Sequence, residues 1–234
     1  MRRICVWRMF VLIFFSLSWG STFAEQIAWV WSGEHTPTWS EKHVAVHVHT
    51  ILLSGNGIHA RPRFNKPAVT NTMLVTPVVH VEISTVNPPD LGHDAHDIIL
   101  QEIVNASATT TSGWVQLDME ARSSHRSFYR ALVKDIKTRI PPSVKLSVTA
   151  LSWWCRSNAW LDHLEADEIV PMLFRLGKDS DLIRKTWIDK PLSIHPRCRN
   201  ASIGISTTEH WSKEFLQTYK KIYLFDNKQW RNSI

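Results

Sequence analysis

Eight short runs of strand-favouring residues recur along the chain, and this repeated spacing restricts the possible folds more than any other feature. β-Branched and aromatic residues in short runs bounded by turn residues are typical of strands. Strands that alternate with helices pair in parallel in most α/β proteins. We therefore predict strands at residues 27–31, 44–53, 75–84, 113–120, 144–153, 168–174, 201–207 and 221–225.

Helical patterns separate several of these runs, most clearly over residues 124–139. Apolar residues recur every four positions from Phe128 to Ile140, and Pro141 and Pro142 end the pattern. By contrast, residues 54–73 are rich in Gly, Pro and Arg, and we predict a loop there. Further helices are predicted at 94–105, at 179–187, and at 209–219 behind a Thr207-Thr208 cap.

The order of these elements predicts a single compact (β/α)₈ TIM-type barrel over residues 25–234, with short or missing early helices. A length of about 210 residues suits one domain with a substantial core better than two. An open doubly wound sheet is the alternative. It is less favoured because no Gly-rich phosphate-binding turn follows any of the strands.

The first 24 residues resemble a secretory signal peptide. Arg2, Arg3 and Arg8 precede an apolar run at 9–17, and small residues at 22–24 predict cleavage after Ala24. The run is shorter than the roughly 20 residues of a membrane span. We therefore predict a periplasmic or secreted protein with no stable membrane span after cleavage; an uncleaved membrane anchor is the alternative.

Removal of this leader changes the charge and cysteine balance. Loss of its three arginines lowers the formal net charge from +6 to +3, and no stripe of Lys and Arg supports nucleic-acid binding. The leader also contains Cys5, so the mature chain keeps only Cys155 and Cys198. An even pair in an exported protein predicts a disulfide bond between them.

The predicted strand at 113–120 carries two acids on one face. Side chains on a strand alternate, so Gln116, Asp118 and Glu120 point away from the apolar face. Two carboxylates that face one space are what hydrolysis of a glycosidic bond requires. Asp118 and Glu120 are therefore the candidate catalytic pair, and they would divide the acid and the nucleophile or base duties. Glu209 is a third candidate acid, unless it only begins a helix.

Other polar and aromatic residues gather at the predicted carboxyl ends of the strands, where barrel enzymes place their chemistry. Arg175 is suited to hold a sugar carboxylate or to orient an acid, and its alternative role is an ion pair in the barrel mouth. Asp167 and Glu168, at a strand start, are interpreted as structural. The candidate substrate-binding residues are Glu82, Gln116, Trp153, Trp154, Arg175 and Asp226.

The histidines raise a metal-binding hypothesis that the spacing supports only weakly. Strand alternation would place His47 and His49 on one face, and His93 and His96 lie close together in the chain. A zinc site needs a third ligand and an open position, and no His-Glu-x-x-His motif is present. We therefore expect no metal ion and no cofactor, and a metal-dependent hydrolase is the third hypothesis.

Several phrases together resemble the domain of unknown function 3142 family of exported bacterial proteins. The resemblance is densest between residues 113 and 209. It implies a barrel related to glycoside hydrolases and brings no established activity. The phrases are residues 115–121, Phe128-Tyr129, residues 146–153 with Cys155, residues 167–177, and Cys198 ahead of residues 203–209.

The sequence thus predicts an exported, glycoside-hydrolase-like barrel whose partner is a polysaccharide or oligosaccharide. Its leading function is cleavage of a glycosidic bond by Asp118 and Glu120. The alternative is a barrel that binds glycan without cleaving it. In that case Trp153, Trp154 and Arg175 would carry the binding.

Overall fold

The computed structural model describes residues 24–31, 42–63, 69–156 and 158–226. The predicted leader, apart from Ala24, lies outside the described residues. Within those residues, no helix combines the length and hydropathy that a membrane crossing requires.

Eight parallel strands form a closed barrel, which confirms the predicted fold. Successive strands along the chain pair with their neighbours, and β9 pairs with β1 to close the ring. Each of the eight predicted runs coincides with one of these strands within three residues at either end. The strands are β1 (Glu25–Val30), β2 (His43–Ser54), β3 (Gly57–Pro62), β4 (Leu74–Ile83), β5 (Trp114–Met119), β6 (Lys145–Leu151), β7 (Glu168–Met172), β8 (Ser202–Ser206) and β9 (Lys221–Phe225).

Strand β3 is additional to the barrel, and the prediction of a loop over residues 54–73 is wrong for this part. It pairs in antiparallel fashion with the second half of β2, from His49↔Pro62 to Ser54↔Gly57. Gly55 and Asn56 form the two-residue connection that a tight hairpin needs. The strand is mostly exposed, so it lacks the continuous buried run that most barrel strands have.

Helices α1, α2 and α4 match the predictions, the short helix α3 was not predicted, and the predicted C-terminal helix is too long. Helix α5 has four residues instead of the predicted eleven, because its cap is the Ser212 hydroxyl, which accepts a hydrogen bond from the Phe215 amide. Thr207 and Thr208 therefore do not begin this helix. The helices are α1 (His93–Ser107), α2 (Arg126–Arg139), α3 (Asn158–Leu161), α4 (Ser180–Asp189) and α5 (Lys213–Leu216).

The two faces of β5 divide the buried residues as the alternation predicts. Val115, Leu117 and Met119 point outward into the large core between the sheet and the helices. Gln116 points into the barrel, where its side chain accepts a 2.7 Å hydrogen bond from Trp29 Nε1 and donates a 3.0 Å bond to Ser147 Oγ. The interior below the mouth is thus filled by paired side chains and is not a channel.

The acids at the start of β7 are structural, as predicted. Glu168 accepts 2.7 Å hydrogen bonds from the hydroxyls of Ser202 and Tyr223, and Lys221 Nζ lies 3.1 Å from its carboxylate. Asp167 accepts a 2.7 Å bond from the Leu146 amide. These contacts connect four neighbouring strands at the amino end of the barrel, far from the strand ends that carry the candidate site.

The predicted disulfide between Cys155 and Cys198 is confirmed. It joins residues 43 positions apart, with their Cα atoms 6.0 Å from each other. Cys155 lies in the short 3₁₀ helix Ser152–Arg156 that follows β6, so the bond fixes the turn that brings Trp153 and Arg156 to the barrel mouth.

Candidate active site

A cavity of about 520 Å³ opens at the carboxyl ends of the barrel strands. Residues from the ends of most barrel strands reach it, and helix α4 forms one side. The lining combines aromatic rings with charged groups, the composition expected where a sugar ring must stack and also be held by polar contacts. The aromatic and charged residues of this lining include Trp31, His80, Asp118, Glu120, Trp153, Arg156, Phe174, Arg175 and Phe225.

Asp118 is held rigidly at the floor of this cavity, near the end of β5. Its side chain is almost fully buried, with Oδ2 accepting a 2.7 Å hydrogen bond from His80 Nδ1 and Oδ1 a 2.6 Å bond from the Thr149 hydroxyl. Burial alone would raise the pKa of this carboxyl. The hydrogen bond and charge of His80, with the bond from Thr149, outweigh burial and lower the pKa below its usual value. Asp118 is therefore an ionised, oriented group.

His80 is a site residue that the sequence analysis missed. It lies on β4 directly opposite Asp118 in the strand register, and its ring packs edge-on against Trp31 with centroids 4.8 Å apart. Its neighbours Val79 and Val81 are buried on the outer face, so strand alternation alone was a signal that His80 points into the barrel.

Glu120 lies at the mouth, two residues beyond Asp118 and exposed to the cavity. Partial burial of its carboxyl and the nearby charge of Asp118 raise its pKa, with a further contribution from Glu82; the charges of His80 and Arg175 act in the opposite direction. The two carboxyls thus have pKa values that are moved apart. Such a pair separates a proton donor from an ionised partner.

Arg175 lies in the cavity wall just after β7, and its backbone has a positive φ of 52°. That conformation is uncommon for a residue with a side chain. Its amide donates a 3.0 Å hydrogen bond to Glu209 Oε1, and the other oxygen of Glu209 binds Arg184 of α4. The guanidinium of Arg175 lies 5.4 Å from the centre of the Phe225 ring.

These contacts correct the prediction that Glu209 is a catalytic acid. Both of its oxygens bind protein groups, and its side chain is not part of the cavity lining. Its role in the structure is to hold the backbone that carries Arg175. The earlier assignment followed from its position after the seventh predicted strand, and position alone does not show which way a side chain turns.

The two adjacent tryptophans have different environments. Trp153 is 39 % exposed and lines the cavity, as the prediction required. Trp154 has no exposed surface and stacks on Trp160 with ring centroids 4.1 Å apart. The prediction that Trp154 binds substrate is therefore wrong, because the 3₁₀ turn rotates consecutive residues to opposite sides.

Three other predicted substrate-binding residues do not line the main cavity. Gln116 is fully buried beneath the floor and bonds only to protein, so its predicted contact with substrate is wrong. Glu82 is exposed on a neighbouring depression that also includes Glu120 and Arg175. Asp226 follows β9 at the same end of the barrel but does not line the cavity.

The prediction that His47 and His49 share a face is also wrong, because β2 contains a bulge. His47 pairs with Val78 and His49 with Val79, which leaves Val48 as an extra residue and reverses the alternation. The His47 ring stacks on Trp31 inside the mouth, whereas His49 lies 2.9 Å from Glu102 on α1. Among the described residues, no group of three or more His, Cys, Asp or Glu side chains has a metal-binding arrangement.

Comparison with solved structures finds eight chains that are similar to this one. No family model and no curated protein matches the chain. The crystal structure of the Bacillus cereus spore cortex-lytic enzyme SleL superimposes with a TM-score of 0.49 and 14% sequence identity. The match covers 79% of this chain and 50% of that enzyme, so the chain spans about half of its length.

Proposed function

We propose that the protein cleaves a glycosidic bond in a polysaccharide, with Glu120 as the proton donor and Asp118 as its ionised partner. The observation that carries this proposal is the pair itself: two carboxyls two residues apart, with opposite pKa shifts, at a cavity lined by aromatic rings. A glycosidase needs one protonated carboxyl to protonate the leaving oxygen while a negative charge supports the electron-poor sugar. The raised pKa of Glu120 and the lowered pKa of Asp118 support Glu120 as the proton donor.

The other parts of the proposal follow from the sequence predictions. We infer an exported protein that acts on a glycan outside the cytoplasm, and the disulfide bond between Cys155 and Cys198 supports an oxidising location. The resemblance to the domain of unknown function 3142 family is compatible with this proposal and stays a prediction.

The direct test is release of reducing ends from bacterial and plant polysaccharides by the purified protein without residues 1–24. We expect Glu120→Gln to lower the rate at least about 100-fold, because a general acid supplies roughly 10²–10⁴-fold. Glu165→Gln is the matched control, since Glu165 is an exposed acid in the loop before β7, at the opposite end of the barrel. Equal activity of the Glu120→Gln and control variants would contradict the assignment.

The pH dependence tests the role of Asp118 separately. Activity should fall as pH rises through the elevated pKa of Glu120, because the acid must carry its proton. In Asp118→Asn the repulsion from the neighbouring charge is removed, so the pKa of Glu120 falls. We expect the alkaline limb of the kcat/KM profile to move to lower pH in this variant. An unchanged limb would show that the two carboxyls are not coupled.

Glycan binding without cleavage is the second candidate function, and the exposed ring of Trp153 at the rim favours it. A flat aromatic surface stabilises a sugar ring whether or not chemistry follows. If wild type releases no reducing ends but is retained on a polysaccharide, and Trp153→Ala abolishes that retention, the binding function replaces the hydrolytic one.

A further inference from the structure

The imidazole of His80 lines the cavity and is bonded to a buried carboxylate. Its Nδ1 lies 2.7 Å from Asp118 Oδ2, and its side chain is 18% exposed. The ring is also fixed by Trp31, which packs against its edge. Its position and orientation are therefore set by protein contacts before any ligand binds.

The second ring nitrogen of His80 faces the open cavity. Because Nδ1 is bonded to Asp118, Nε2 lies on the opposite side of the ring. No described residue makes a hydrogen bond to Nε2, and this atom is not among the buried polar atoms that lack a partner. It is accordingly open to the space that also contains the Glu120 carboxyl.

The groups around His80 favour its charged form. Burial lowers its pKa, but the bond and charge of Asp118 raise it on balance, with Glu120 and Glu82 contributing in the same direction. The only facing histidine described, His47, has a pKa lowered to about 4 by burial and by repulsion from His80, so it stays neutral. A charged imidazole has hydrogen on both nitrogens, so Nε2 is a donor.

We propose, on the basis of the hydrolytic function proposed above, that His80 is a further substrate-binding residue whose Nε2–H donates to a sugar oxygen beside Glu120. Besides supplying the negative charge proposed above, Asp118 positions His80: its Oδ2 holds the ring, and its Oδ1 is held by Thr149. This is the arrangement by which a carboxylate fixes the orientation and protonation of a histidine in many enzyme sites. Each oxygen of Asp118 accepts one of these hydrogen bonds, so the carboxylate and the imidazole are held in a fixed relation to each other.

Two substitutions separate substrate contact from structural support. In His80→Asn the amide nitrogen replaces Nδ1 and keeps the bond to Asp118, but no donor reaches the position of Nε2. In His80→Gln the amide nitrogen replaces Nε2 and the bond to Asp118 is lost. On the polysaccharide that wild type cleaves, we expect His80→Asn to lower kcat/KM by about 10- to 100-fold, the value of a lost charge-assisted bond, with partial rescue in His80→Gln. Full activity of His80→Asn with loss in His80→Gln would overturn the proposal.

A second measurement needs neither a substrate nor a variant of His80. Diethyl pyrocarbonate modifies accessible neutral imidazoles, and peptide mass spectrometry reports each histidine, with exposed His59 and His163 as internal references. We expect His80 to be modified with a midpoint at higher pH than the ordinary value for a histidine, and Asp118→Asn to move that midpoint to lower pH. Failure to modify His80 at pH 8, or a midpoint unaffected by Asp118→Asn, would overturn the proposal. If the protein cleaves none of the glycans but His80 shows the expected pH dependence of modification, the hydrolytic function is refuted. The inference that Asp118 orients and charges His80 then still holds.

Discussion

Gly204 shows how single residues make room for the interior of so small a barrel. A Cβ atom at this position would lie 2.6 Å from Cη2 and 2.7 Å from Cζ3 of Trp29. The indole cannot simply withdraw, because its Nε1 donates to Gln116, which lies directly below Asp118 on β5. A glycine at 204 is therefore a condition for the floor of the site.

We predict that Gly204→Ala lowers the free energy of unfolding by about 1–3 kcal/mol, the usual cost of an overpacked core. Urea denaturation measures this value. The same substitution in a Trp29→Phe background should cost less, since Phe lacks the two clashing atoms and residues in contact are not additive. An equal loss of unfolding free energy in the wild-type and Trp29→Phe backgrounds would show that the clash is not with the indole of Trp29.

The positions of Asp118 and Glu120 could be predicted from the sequence, but the contact between Asp118 and His80 could not. The alternation around residue 118 predicted the correct face for Asp118 and Glu120, because Asp118 lies on a regular strand and Glu120 directly follows its last residue. The bond between His80 and Asp118 joins residues 38 positions apart. No local pattern predicts such a pairing, since it depends on which strands are neighbours and in which register.

At the scale of the elements, the loops after β7 and β8 support each other across the mouth. Glu209 of one loop binds the amide of Arg175 in the other and the guanidinium of Arg184, which also lies 4.2 Å from the centre of the Trp211 ring. A backbone in a sparsely populated conformation persists where its surroundings hold it. The position of Arg175 in the cavity wall thus depends on Glu209.

This role predicts a specific difference between two variants of Glu209. Glu209→Gln keeps an oxygen that can accept from the Arg175 amide, so its hydrolytic activity should stay within about threefold of wild type, the scale of one weakened surface pairing. Glu209→Ala removes the acceptor and should raise KM, because Arg175 is no longer fixed. If Glu209→Gln is instead as inactive as Glu120→Gln, Glu209 is an acid of the reaction after all.

The boundaries of helices and strands could be predicted where the spacing of apolar residues along the chain determines them. They could not be predicted where contacts with distant residues determine them. Strand runs and the amphipathic helix α2 followed from periodicity. The bulge at Val48 was not visible, because an extra residue changes the face of His49 without any change in composition. The predicted helix at 209–219 was too long because Trp211, Phe215 and Tyr219 recur every four residues and their rings pack together, although only residues 213–216 are helical.

At the scale of the whole molecule, closure of the sheet produces the site. The parallel ring places the carboxyl ends of all eight strands at one rim, so residues from β4, β5 and the β6–β7 region meet although they are distant in sequence. The number and spacing of strand runs made this closure predictable. The exact set of side chains at the rim was not, because Trp154, Gln116 and Glu209 turn away for reasons that belong to their local packing.

The disulfide bond connects this rim to the rest of the molecule, and its removal measures how much it stabilises the fold. Cys155 follows β6, and Cys198 precedes β8, so the bond closes a loop that contains β7 and α4. Because the cysteines are 43 positions apart, loss of the bond should lower the free energy of unfolding by about 3–4 kcal/mol through the greater freedom of the unfolded chain. Urea denaturation of Cys155→Ala/Cys198→Ala measures the loss. Wild type that is reduced but not alkylated is the control, because it loses the bond without leaving a cavity. The double variant and the reduced wild type should lose the same free energy of unfolding. A loss below about 1 kcal/mol in both would mean that the packing of Trp154 on Trp160 is sufficient to hold the turn after β6.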